Sequence, residues 1–141
     1  MSDRPRFVID TNVLVDAFCF PKSFGRQAYA LVTKLGEFVM SLGTFAEFEA
    51  VMLRPKFERF LALGERRLAI ASVRRDLTWA EPWCRYRVCR DPSDDKFIEL
   101  AICTGASAII TRDADLLTLD PINGIKVVDA KSFVLTKSHT I

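Results

Sequence analysis

Short apolar runs alternate with longer amphipathic segments along the chain, and this alternation restricts the possible folds more than any other feature. Runs such as RFVI at 6–9 and ASAIIT at 106–111 have the length and composition of buried strands. Segments such as 25–35 repeat apolar residues at helical spacing. Strands that alternate with helices favour a mostly parallel sheet covered on both faces. The predicted strands are 6–9, 37–41, 106–111 and 125–129, with a strand or extended connection at 86–89, and the predicted helices are 25–35, 44–54, 56–63, 65–77, 91–105, 113–119 and 130–135.

The length of 141 residues suits one domain with a substantial core, so we expect a single domain over 1–141 with a disordered tail from about 136. Half of the residues are apolar, which suggests an apolar surface kept for a partner or a second copy. The net charge of +2 alone predicts no nucleic-acid binding, so any surface that binds nucleic acid must come from local clusters of basic residues. The opening MSDRPRF lacks an apolar signal segment, and no apolar run is long enough to span a membrane. These features predict a cytoplasmic protein.

Residue types that are scarce or scattered argue against several kinds of chemistry. The only histidine, His139, lies close to the end of the sequence, which argues against Ser-His-Asp or Cys-His catalysis. No glycine-rich motif for a nucleotide phosphate is present. The cysteines contain no CxxC pair, which favours free thiols over a disulfide or a thiolate metal site. They are Cys19, Cys84, Cys89 and Cys103.

Acidic residues follow the predicted strands or begin the predicted helices. Asp10 comes directly after the first strand, and Asp113 follows the strand that ends in IIT. Glu47 lies in the first turn of a predicted helix, where a capping box would also explain it, and Asp94 and Asp95 begin another helix. Because parallel strands present their carboxyl ends at one edge of a sheet, we expect these acids to converge. Clustered carboxylates repel one another unless a cation is present, and oxygen ligands favour Mg²⁺ or Mn²⁺. The sequence therefore predicts metal-dependent hydrolysis of a phosphate ester.

Three segments, in this order, resemble the PIN-domain ribonucleases, and in particular the VapC-like single-domain toxins of toxin–antitoxin systems. They are FVIDTNVLVDAF at 7–18, SLGTFAEFEAVMLRPKF at 41–57 and CRDPSDDKFIELAICTGASAIITRDADLL at 89–117. The resemblance covers nearly the whole chain and implies a three-layer, flavodoxin-like α/β/α sandwich. It also implies an endoribonuclease that uses Mg²⁺ or Mn²⁺ to cleave single-stranded RNA. An antitoxin protein would hold such an enzyme inactive, and the chain would form homodimers.

The resemblance assigns roles to individual residues of this sequence. Asp10, Asp95 and Asp113 match the metal ligands, and Glu47 matches a further catalytic acid. Asp95 is preferred to its neighbour because it directly precedes the apolar KFIELAI. Supporting roles at the same site fall to Thr11, Asn12, Asp94 and Asp115.

Basic residues cluster near the predicted site, beside Pro55, along 85–90 and within the TRDAD segment. Arg112 and Arg90 are the residues that we expect to contact RNA phosphates. The same acids could also serve a structure-specific nuclease acting on other DNA or RNA. A HAD-like phosphatase would need an aspartate at the position of Asn12. A catalytically silent RNA-binding or interaction module would have no need for four carboxylates where an anionic ligand binds.

Overall fold

A computed structural model describes residues 3–87, 89 and 91–138, and its sheet has five strands in the order β3-β2-β1-β4-β5. Each strand pairing is parallel, as the alternation of strands and helices predicted. The strands are β1 Arg6–Ile9, β2 Glu37–Met40, β3 Thr78–Trp79, β4 Ala108–Ile110 and β5 Lys126–Val128. The helices are α1 Thr11–Cys19, α2 Phe24–Leu35, α3 Leu42–Met52, α4 Leu63–Asp76, α5 Asp95–Thr104, α6 Ala114–Leu117 and α7 Ala130–Ser138, with 3₁₀ turns at Pro55–Arg59 and Pro92–Asp94.

Successive residues of β1 face two separate hydrophobic cores, because side chains alternate along a strand. Phe7 and Ile9 pack with α1, α2, α3, α4 and α7 on one face of the sheet. Val8 packs with α5 and α6 on the opposite face. Helices therefore cover both faces of the sheet, which confirms the predicted three-layer α/β/α sandwich.

Helix α1 is the main element that the sequence pattern did not predict. The chain enters it directly at Thr11, in a stretch between 9 and 25 for which no element was predicted. Most of its side chains are buried, among them Val13, Leu14 and Val15. A helix that is buried on most sides has no clear amphipathic period, so the pattern that reveals surface helices is missing here.

The predicted helix at 56–63 and the edge strand differ from the sequence-based expectation. Residues Pro55–Arg59 form a 3₁₀ turn, and α4 begins at Leu63 and passes through Gly64. Of the two alternatives at 86–89, the strand is not formed by the described residues, which leaves the extended connection, and Thr78–Trp79 forms the edge strand. A two-residue strand is too short to produce a recognisable alternation of apolar residues.

The prediction of a disordered tail from about residue 136 is wrong for residues 136–138, because α7 continues to Ser138. Phe133 and Val134 anchor this helix in the core beside α2. Residues 139–141, with His139, lie outside the described part of the chain. The longest helix described, α4, has 14 residues, and none of the helices in the described ranges is long and apolar enough to cross a membrane.

Cys84 and Cys103 form a disulfide, so the expectation of free thiols is wrong for this pair. Their Cα atoms lie 6.5 Å apart, within the range that a disulfide can bridge. Cys103 lies near the end of α5, and Cys84 belongs to the segment that follows β3. No CxxC spacing marks the pair because the tertiary fold brings the two residues together. Cys19 and Cys89 are free.

Candidate active site at the carboxyl edge of the sheet

The pairing of β1 with β4 places Asp10 beside Thr111. Ile9 lies opposite Ile110 in the sheet, and the backbone N–H of Asp10 donates to the carbonyl of Ile110 at 2.9 Å. The fully buried hydroxyl of Thr111 donates to the Asp10 carboxylate at 2.6 Å and accepts from the backbone N–H of Asp113 at 3.0 Å. One threonine hydroxyl therefore holds the acids that follow the two strands next to each other.

An acidic cavity opens at this edge, and five carboxylates among the described residues line it. Asp10 contributes from the end of β1, Glu47 from α3 and Asp113 from the residue before α6. Asp91 and Asp94 reach it from the 3₁₀ turn before α5 and the residue preceding that turn. The remaining lining residues are Thr11, Asn12, Val51, Arg54 and Ser93. The structure thus confirms that acids from distant segments converge.

Glu47 lies within α3, where helix capping does not account for it. The helix begins two residues earlier than predicted, and Ser41 and Thr44 form its capping box. Glu47 instead accepts hydrogen bonds from the hydroxyl of Thr11 and from Nζ of Lys96, the latter at 2.8 Å. The alternative explanation of Glu47 as a capping residue is therefore wrong. Each of its two carboxylate oxygens accepts a hydrogen bond from another segment of the chain.

Asp94 lines the cavity, whereas its neighbour Asp95 does not. The carboxylate of Asp95 is buried and accepts from the backbone N–H of Cys89 at 2.8 Å. It lines a separate depression together with Arg85 and Arg87. Successive residues of a helical turn point about 100° apart, which agrees with the different surroundings of Asp94 and Asp95. The sequence predicted Asp95 as the third acid, and the structure places Asp94 in the cavity lining with Asp10, Glu47 and Asp113.

Burial, together with repulsion among the carboxylates, raises the pKa of two of them. Burial raises the pKa of Asp10, with further contributions from the charges of Glu47 and Asp113, and the hydrogen bond from Thr111 partly opposes the shift. Burial and the charges of Asp113 and Asp10 raise the pKa of Asp94 to about 6. In both cases the ionised form is disfavoured unless a cation is close by.

The donor set of the cavity fits a divalent cation of the Mg²⁺ type. Its side chains offer carboxylate, hydroxyl and amide oxygens, and no histidine or cysteine lines it among the described residues. Across the described ranges, no three His, Cys, Asp or Glu side chains are already arranged around a metal position. The carboxylates are instead held by protein groups, as Asp10 is by Thr111 and Glu47 by Lys96.

The supporting residues predicted from the sequence are divided between the cavity and its surroundings. Thr11 is buried and donates to Glu47, and Asn12 is exposed and lines the cavity. Asp115 is exposed, and its backbone N–H donates to the Asp113 carboxylate at 2.9 Å. Its side chain is absent from the lining of the cavity as far as the structure describes it.

Of the two arginines expected to contact RNA, the structure describes only Arg112. Arg112 is largely exposed, and its guanidinium donates to the carboxylate of Asp16 on α1 at 2.8 Å. A phosphate contact by Arg112 would therefore compete with an existing ion pair. Arg90 lies outside the described residues.

Three residues of the site received no role from the sequence. The sequence could have indicated Thr111 by the same pattern as Asp10, since both are polar residues at the carboxyl end of an apolar strand. Lys96 donates to Glu47 and to the Ser93 carbonyl at 2.7 Å, and Asp91 accepts from the Ser93 backbone N–H at 3.0 Å. Lys96 carries no sequence signal of its own, because its contact with α3 exists only in the folded chain.

Comparisons with known proteins agree with this architecture. The profile of the PIN domain matches residues 6–115. An uncharacterized protein of Methanocaldococcus jannaschii, MJ1680, is 32% identical over 117 residues, which cover 81% of this chain and 74% of the relative. Crystal structures of VapBC2 from Rickettsia felis, bound to a DNA fragment from their promoter, and of PAE2754 from Pyrobaculum aerophilum share the fold.

VapBC2 has a TM-score of 0.62 at 14% identity, over 86% of this chain and 96% of its own. PAE2754 has a TM-score of 0.62 at 13% identity, over 96% of this chain and 90% of its own. PIN domains are generally nucleases and usually use divalent metal ions. The extent of the profile match and the identity with the archaeal relative show that this chain belongs to the PIN domain family.

Proposed function

We propose that this protein is a Mg²⁺- or Mn²⁺-dependent endoribonuclease that hydrolyses phosphodiester bonds of single-stranded RNA. The observation that carries the proposal is the convergence of Asp10, Glu47, Asp94 and Asp113 on one cavity. These residues come from four separate segments, and helix capping does not account for Glu47. Buried carboxylates that repel one another stabilise the fold only when a ligand compensates their charge.

The proposed roles follow from the partners that each acid already has. Asp10, Asp94 and Asp113 would hold the metal ion, and Asp94 replaces Asp95 in this set because of its position. Glu47 positions the site, because its two oxygens accept from Thr11 and Lys96. A bound divalent ion supplies an activated water and positive charge beside the phosphate.

The requirement for a metal ion provides the direct test of this function. EDTA should abolish cleavage of a labelled single-stranded RNA, and Mn²⁺ or Mg²⁺ in excess of the chelator should restore it. Double-stranded RNA and single-stranded DNA of the same sequence serve as substrate controls, because a structure-specific nuclease would prefer one of them. Cleavage that persists in excess EDTA would refute the metal mechanism, and binding of RNA without any cleavage would indicate a silent module.

We further propose that the protein acts in the cytoplasm as the toxin of a toxin–antitoxin pair, with a cognate antitoxin protein as its inhibitor. Membership of the PIN family and the fold shared with VapBC2 support this setting. An antitoxin would block RNA cleavage most directly by covering the acidic cavity, because its acids are the groups on which cleavage depends.

A homodimer is the second assembly that we propose. Five large apolar side chains remain partly exposed around α2, the 3₁₀ turn at Pro55–Arg59 and the start of α4. They include Phe20 and Phe60, whose rings meet edge to face with centroids 4.9 Å apart. The others are Phe24, Leu53 and Leu63. A second copy would remove this apolar surface from water. Light scattering during gel filtration at tens of micromolar should give the mass of a dimer, and a monomer at that concentration would contradict the proposal.

A further inference from the structure

Arg54 is the one basic residue among the described residues that line the acidic cavity. Its side chain is exposed and forms no ion pair or hydrogen bond within the described ranges. Lys96, another cation close to these acids, is already bound to Glu47 and the Ser93 carbonyl. Within the described ranges, the guanidinium N–H groups of Arg54 therefore have no partner. They lie beside a cavity whose other charged lining residues are all carboxylates.

A buried arginine fixes the backbone at Arg54. Arg66 of α4 is only 2% exposed. Its Nη1 donates to the carbonyls of Met52 at 3.0 Å and Arg54 at 3.2 Å. Its Nε donates to the Leu61 carbonyl at 2.9 Å, and its Nη2 pairs with Glu58 at 2.6 Å. One guanidinium thus ties the end of α3, Arg54 and the following 3₁₀ turn to α4.

The burial of Arg66 shows how firmly this segment is held. A buried charge is costly unless its hydrogen bonds are satisfied, and here four contacts with the 52–61 segment satisfy them. The carbonyls at the end of α3 lack helical partners, so Arg66 also caps that helix. The hydrogen bonds of the buried Arg66 consequently hold the backbone of Arg54 in a fixed position relative to the cavity.

We propose that Arg54 binds a backbone phosphate of the nucleic-acid substrate beside the acidic cavity, and that Arg66 is the positioning residue that holds it there. The inference rests on the proposed nuclease function and adds the residue that binds the anionic substrate. A guanidinium can donate two parallel hydrogen bonds to a phosphate, which a lysine cannot reproduce. Arg54 would thus add a fixed positive charge beside the carboxylates, in addition to the charge that a bound metal ion would supply.

The test compares RNA binding and cleavage by Arg54→Ala, Arg54→Lys and Arg67→Ala. Arg67 is a matched control, because it is an exposed arginine of α4 that does not line the cavity. Affinity for a labelled single-stranded RNA is measured by fluorescence anisotropy in the Asp10→Asn background, and kinetics are measured with Asp10 intact. Affinity for Mn²⁺ is measured by calorimetry without RNA.

Arg54→Ala should raise Kd and KM by about tenfold or more, the loss expected for a hydrogen bond to a charged group. The slope of log affinity against log salt should flatten by about 0.7, as for one phosphate contact on a single strand. Affinity for Mn²⁺ should stay unchanged, Arg54→Lys should recover part of the loss, and Arg67→Ala should resemble the parent protein. An unchanged Kd, or a larger loss in Arg112→Ala than in Arg54→Ala, would overturn the proposal. If the parent protein cleaves no RNA, the nuclease function fails, whereas the anisotropy measurements still decide the role of Arg54.

The role of Arg66 is tested by coupling it to Arg54. Arg66→Lys keeps a charge but cannot bind all four partners, and Glu58→Gln weakens the same network at its exposed end. Either variant should weaken RNA binding when Arg54 is present and cause little further loss in Arg54→Ala. Circular dichroism tests whether each variant is folded. If Arg66→Lys does not fold, the result for Glu58→Gln decides whether this network acts through Arg54. Losses that simply add would show that Arg66 does not act through Arg54.

Discussion

Asp94→Asn should abolish metal-dependent RNA cleavage, whereas Asp95→Asn should leave cleavage largely intact. Asp94 lines the acidic cavity, and burial together with the charges of Asp113 and Asp10 raises its pKa. Loss of a residue that only supports a metal ligand costs about 10- to 100-fold in metal affinity or activity, so loss of a ligand should cost at least as much. Initial cleavage rates at saturating Mn²⁺ and Mn²⁺ affinity by calorimetry provide the two measurements.

Asp95→Asn is the matched control, because the substitution is chemically identical and one position away. Asp95 is buried and accepts from the Cys89 backbone N–H, so its replacement should lower stability by about 1–3 kcal/mol without removing the metal. Chemical denaturation measures this loss. A folded Asp95→Asn protein that is inactive, together with an active Asp94→Asn protein, would restore Asp95 as the third ligand.

Asp10→Asn should eliminate cleavage and at the same time stabilise the metal-free protein. Burial and the charges of Glu47 and Asp113 raise the pKa of Asp10, so its ionised form destabilises the folded state at neutral pH. The amide removes that charge, and its oxygen can still accept from Thr111. We expect the midpoint of thermal unfolding in EDTA to rise by a few degrees, which corresponds to about 1 kcal/mol for a domain of this size.

The stabilisation by Mn²⁺ should be much larger in the parent protein than in Asp10→Asn. A ligand that binds only the folded state stabilises it by about 2.7 kcal/mol at a concentration of about a hundred times Kd. The parent protein should therefore gain stability on addition of Mn²⁺, whereas Asp10→Asn should gain little. Melting curves with and without Mn²⁺ measure this difference. A variant that is both active and less stable in EDTA would contradict the proposed role of Asp10.

The elements with clear hydrophobic periods were predictable from the sequence, and the others were not. Residues 6–9 form β1 as predicted, and α2 begins only one residue before its predicted start. Helix α1 escaped prediction because it is buried on most sides, and β3 because it has only two residues. The link between Cys84 and Cys103 also depends on the tertiary arrangement of α5 and the segment after β3.

The candidate site was predictable to the level of its segments but not of every side chain. Asp10 and Asp113 could be placed because a strand end fixes a residue to one edge of the sheet. Asp94 and Asp95 could not be distinguished, because the choice depends on how a 3₁₀ turn leads into α5. The contact of Lys96 with Glu47 depends on the packing of α5 against α3, which no local pattern describes.

The hydrogen bond from Thr111 to Asp10 joins residues that are 101 positions apart in sequence. This contact cannot form until Thr111 has left the ribosome, and contacts of such long range form more slowly than local ones. A growing chain that has emerged only as far as α4 contains Asp10 and Glu47, but not β4 or the acids that follow Asp76. For the ribonuclease proposed above, a chain at this stage would lack Asp94 and Asp113 and could not cleave the messenger that encodes it.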